Sequence, residues 1–96
     1  MIVAVTYRYT EDTALRDEVR PEHRAYLREL ADAGSLLLSG PFGAGAPAGA
    51  LLVFRADDEA QVQGWVDADP FSVRGVVASA TLAEWQPVLG SLSGAL

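Results

Sequence analysis

The chain of 96 residues has no cysteine, no lysine, a single histidine and a single methionine. Each shortage removes a class of function. Without cysteine there is no disulfide, no thiolate nucleophile and no thiolate metal site, and one histidine falls short of the clusters that zinc enzymes use. No apolar run approaches the roughly 18 residues of a membrane span, and Ile2-Val3-Ala4-Val5 lacks the basic start of a signal peptide. No membrane partner and a cytoplasmic location are therefore expected. The seven basic residues are all arginine (Arg8, Arg16, Arg20, Arg24, Arg28, Arg55 and Arg74), scattered among thirteen acids for a net charge of −6. No basic stripe of the kind that tracks phosphates is read from them, which argues against nucleic acid.

What is present is a core. Half the residues are apolar and the mean hydropathy is +0.16, which excludes disorder. The length suits one domain over residues 1–96, with residues 89–96 a loose C-terminal tail. A chain this short buries a modest fraction of its surface, so a second copy would help.

Residues 2–9 (IVAVTYRY) alternate and are rich in β-branched and aromatic types, which predicts a first strand. Residues 10–19 read as a polar approach with a short helical turn around Thr13 to Asp17. Pro21 suits the first turn of a helix and Gly34 its C-terminal cap, predicting a helix over 21–33. Ser35 to Ser39 reads as a second strand ending at Gly40-Pro41, and 40–49, with four glycines and two prolines, as a loop. Ala50 to Arg55 is a third strand. Asp57-Asp58-Glu59 would cap a helix through about Trp65, Asp69-Pro70 would break it, and Phe71 to Arg74 would add one turn. Val76 to Trp85 closes the chain as a fourth strand.

The order βαββαβ predicts an α+β, ferredoxin-like fold, with both helices on one face of a four-stranded antiparallel sheet. Strands one and three are apolar on both faces, and two helices cover only one. A second copy packed sheet to sheet, as a homodimer, is expected to cover the other.

His23 carries the functional question. Residues three, four and seven further on are Tyr26, Leu27 and Leu30, so the imidazole belongs to the apolar stripe of its helix. Histidine titrates near neutral pH and moves protons where a partner and a pocket are provided. The best candidate partner lies in Asp67-Ala68-Asp69-Pro70-Phe71. In the bland alternative, His23 is a half-buried residue paired for stability and the Asp-Pro step is an ordinary turn opener.

The stretch Arg20-Pro21-Glu22-His23-Arg24-Ala25-Tyr26-Leu27, then Gly34, Leu38-Ser39-Gly40-Pro41, Gly49, Asp69-Pro70-Phe71 and Glu84-Trp85, resembles the YciI-like (YCII-related) family from the first strand to Trp85. The resemblance implies a ferredoxin-like fold, a dimeric α/β barrel, and a site built on a histidine and an aspartate that map to His23 and Asp69. Phe42 to Ala48 departs from the family in lacking acidic residues.

A carboxylate on one imidazole nitrogen fixes the tautomer and leaves the other free to move a substrate proton. Such a dyad suits isomerisation, elimination or hydrolysis of a small organic, enolisable or cyclic, substrate. Tyr7 and Phe71 are expected to line its pocket, and Ser39, Gly40 and Pro41 to position the ligand. A Ser39-His23-Asp69 triad is a rival, although no Gly-x-Ser-x-Gly elbow is present. Heme with His23 as axial ligand is another. Asp67 is expected in solvent, Arg74 in solvent or paired with an anionic substrate, and Gly43-Ala44-Gly45 is no phosphate loop. No cofactor and no metal are expected. In the competing reading from another class, the pocket of a non-catalytic module binds a metabolite without changing it.

Overall fold

The computed structural model describes all 96 residues. Strand β1 (Ile2–Tyr9) leads into helix α1 (Thr13–Asp32), then to the hairpin of β2 (Leu36–Pro41) and β3 (Gly49–Arg55). Helix α2 (Glu59–Ala68) and the single turn α3 (Pro70–Val73) follow, and β4 (Val77–Glu84) completes an antiparallel sheet of order β2-β3-β1-β4. This is the expected ferredoxin-like arrangement. The tail is not featureless, because Ser93–Ala95 forms a turn of 3-10 helix.

The first helix starts eight residues earlier than Pro21 suggested. Asp12 caps it, accepting a hydrogen bond from the Leu15 N–H at 3.0 Å. Pro21 lies inside the helix, where it cannot donate to the Asp17 carbonyl. The helix runs on because Val19, His23 and Leu27 recur every four residues as one buried stripe. Its other end matches expectation. Gly34 takes φ +82°, its N–H meets the Ala31 carbonyl and the Ser35 N–H meets the Leu30 carbonyl, a Schellman closure.

Strand β2 also outlasts its prediction, continuing through Gly40 and Pro41. Proline is tolerated there because β2 is an edge strand, with an unpaired side where a missing N–H costs nothing.

Val3, Val5, Leu52 and Phe54 face the helices and pack with Leu27, Val62 and Val66. A smaller cluster of Val19, Phe71 and Val76 lies beside it. Along α1, His23 falls between Val19 of the small cluster and Leu27 of the large one. On the other face of the sheet Leu38 and Leu51 stay 53% and 41% exposed.

Candidate active site

Three segments meet at Asp69. The residue ends α2 and caps α3 in extended conformation (φ −60°, ψ 128°), so its side chain turns back over the new turn and accepts the Phe71 N–H at 2.9 Å. The Tyr7 hydroxyl, from the sheet beneath, donates to Oδ2 at 2.9 Å. The third partner is His23, whose Nδ1 lies 2.8 Å from Oδ1 and 3.0 Å from Oδ2. Asp69 is fully buried and His23 only 7% exposed. A buried carboxylate is costly unless donors surround it, and here three do.

That geometry assigns the tautomer. A carboxylate can only accept, so Nδ1 carries a hydrogen, and in the neutral ring Nε2 holds a lone pair with no partner in the chain. The Phe71 ring stacks on the imidazole, with centroids 3.8 Å apart and planes within 3°, which fixes the ring's orientation. Tyr9 meets Phe71 edge-on at 5.4 Å.

The tyrosines are held neutral. Burial, then the charge of Asp69, pushes the Tyr9 hydroxyl up to about 12. The same two causes, in that order, drive the Tyr7 hydroxyl higher still. Tyr7 is therefore a standing donor to the carboxylate, with no proton to spare for chemistry.

His23 lines a cleft of about 780 Å³ between α1 and the β2–β3 hairpin, within the size range of small-molecule sites. Phe71, Ser39, Gly40 and Pro41 line it too. Tyr7 does not. It sits behind the aspartate as a support, because its strand runs under the helix and its hydroxyl is spent on Asp69. Ser39 makes no hydrogen bond to His23, so these two residues share a cavity without being linked. Asp67 is solvated as expected and accepts only from Gln63. Exposed Arg74 reaches Glu18 and Glu22 at no closer than 3.8 Å.

The sequence reading missed Tyr9 and a row of arginines. Arg16, Arg20, Arg24 and Arg28 all line the cleft. Their spacing of four was legible, and it corrects the impression of basic residues merely scattered. A helix 13–32 was needed to see it, and the prediction began at Pro21.

The YCII-related domain model matches residues 1–86. The chain belongs to the YCII-related family. The protein YciI of Escherichia coli O6:H1 is 32% identical over 92 residues, covering 83% of this chain and 94% of that protein, and YciI of Shigella flexneri matches equally. Among solved structures, the chain is similar to the 5-chloro-2-hydroxyhydroquinone dehydrochlorinase of Burkholderia phenoliruptrix AC1100, in complex with 2,5-dihydroxybenzoquinone. That likeness has a TM-score of 0.77 and 25% identity, over 88% of this chain and 93% of the other. An antibiotic biosynthesis monooxygenase (TM-score 0.54, 14% identity, 86% and 94% covered) shares the fold alone. The fold of this chain is thus shared with a 5-chloro-2-hydroxyhydroquinone dehydrochlorinase.

Proposed function

We propose that this YCII-related protein is a small-molecule enzyme in which His23 is the general acid and base and Asp69 positions it. The observation that carries the reading is the shared carboxylate: it holds Nδ1 at 2.8 Å and leaves Nε2 unengaged on a residue lining the cleft. Nε2 would take a proton from a C–H or O–H of an enolisable or hydroxylated ring. The released electron pair then either expels a leaving group, as in elimination, or is reprotonated at another atom, as in isomerisation. Water activated by the same nitrogen would give hydrolysis. The likeness to a dehydrochlorinase favours elimination from a ring-sized substrate. We further propose that it works in the cytoplasm as a homodimer joined through the open sheet face.

The test is a screen of halogenated hydroquinones, enolisable ketones and lactones. His23→Gln and Asp69→Asn should each lower turnover of the active compound by about 10² to 10⁴, the usual worth of a positioned acid–base group. Circular dichroism should report intact folds. Undiminished turnover in His23→Gln would sink the proposal. Saturable binding without any turnover in the wild type would favour the non-catalytic module.

A further inference from the structure

Four arginines stand one helical turn apart on α1, at 16, 20, 24 and 28, and every one of them lines the cleft that holds His23. No aspartate or glutamate lines it. In a chain of net charge −6 this is a local reversal of sign. Only Arg20 is neutralised, by Asp17 at 2.8 Å, and neither Arg16, Arg24 nor Arg28 has a carboxylate within ion-pair distance. Arg16 lies over the Tyr9 ring, its carbon 5.3 Å from the centroid, and its Nη1 is buried with no hydrogen-bond partner.

Such a row is locally unfavourable. Like charges four residues apart on a helix repel each other, and Arg24 and Arg28 stand at that spacing with no carboxylate paired to either. A buried guanidinium nitrogen without an acceptor adds a further cost. Solvated helix faces ordinarily avoid both by interleaving acids, which α1 has in supply but does not place on this wall. Opposite the row, Leu36, Leu37 and Phe42 make the cleft apolar. The chemistry complementary to both walls is an anionic head on an apolar body.

We infer that the substrate of the His23 site is a small organic carboxylate, whose acid group is held on the arginine row of α1 while its carbon skeleton lies on the apolar wall within reach of Nε2. The inference rests on the acid–base reading of His23 for the chemistry, and on the arginine row for the anion. A guanidinium keeps its charge at any working pH and meets a carboxylate with two parallel hydrogen bonds. The row also draws anions toward the cleft against the overall repulsion of an acidic protein.

Gentisate and hydroquinone separate these claims, since they share a 1,4-dihydroxy ring and differ by one carboxylate. Calorimetry on the full chain should show gentisate binding at least tenfold tighter than hydroquinone, with the preference shrinking as salt is raised. Arg16→Gln should weaken gentisate roughly tenfold, as expected for a lost charge-assisted hydrogen bond. The exposed pair Arg24→Gln/Arg28→Gln, which leaves the core alone, should also weaken it by about tenfold. Hydroquinone binding should fall far less than gentisate binding in both variants. Equal binding of the two compounds, or gentisate binding indifferent to the double variant, overturns the inference. Inorganic phosphate displacing gentisate as well as benzoate does would also overturn it, by exposing a non-selective anion patch. Turnover is a separate readout: rates unaffected in His23→Gln would remove the acid–base reading and leave the gentisate preference standing, whereas turnover with no such preference would do the reverse.

Discussion

Tyr7 shows how much a residue with no access to the cleft can matter to it. Its hydroxyl supplies one of the three donors on Asp69, and the Phe71 N–H supplies another that no side-chain substitution can remove. Tyr7→Phe should therefore cost about 1 kcal/mol of stability, a typical net worth for a neutral hydrogen bond, and lower turnover far less than His23→Gln does. For a domain of this size that is roughly 4 to 8 °C in melting temperature. The tyrosines also set an alkaline limit. Both Tyr7 and Tyr9 keep their protons in the fold to higher pH than the ordinary value of 10.0. Above about pH 10 the unfolded chain sheds protons that the folded chain retains, so stability is intact below that pH and falls as pH rises beyond it. Urea unfolding between pH 8 and pH 11 should show this decline, shallower in Tyr7→Phe; equal slopes would mean that Tyr7 is not the group responsible.

Among the elements, the junction of β1 with β3 has the least slack. Gly49 lies opposite Arg8, and a Cβ placed on it would run into the carbonyl oxygen of Tyr7. Gly49→Ala should destabilise by about 1 to 3 kcal/mol, the usual cost of overpacking. Because the displaced backbone carries Tyr7, turnover should fall as well. Gly64→Ala, in α2 with open space around its Cβ, should instead stabilise slightly, and thermal melts of the two variants check both. Such steric demands were only partly legible beforehand. The alternation of β1, the αL glycine at 34 and the break at Asp69-Pro70 each have a local physical cause, and each was read correctly. Helix α1 was misjudged because Pro21 carries a strong local rule, while the stripe Val19, His23 and Leu27 that overrides it depends on a core formed by distant residues. Tyr7 was expected in the pocket for the same reason: strand alternation gives its face but not which neighbour its hydroxyl meets. The pairing of His23 with Asp69, across 46 residues of sequence, came from family resemblance and from no local pattern.

For the molecule as a whole, the helices cover one side of the sheet. On the other, Leu38 and Leu51 stay exposed beside the part-buried Ala4 and the buried Val53. Burial of that face between two copies is the expectation, so light scattering should return about twice the chain mass of 10.2 kDa. Leu38→Glu/Leu51→Glu should shift it to the single-chain mass. A wild-type monomer at micromolar concentration would refute the homodimer. The carboxylate of Asp69 has a different consequence at this scale. It closes contacts spanning 2, 46 and 62 residues, and those partners belong to the first strand, the long helix and the turn after α2. No fragment shorter than residues 7–71 holds all of them. Loop closure over such separations comes late, after local helices have formed. The pair of His23 and Asp69 therefore reports on the docking of α1 against the turn after α2: a chain truncated before Asp69 has the histidine without its partner.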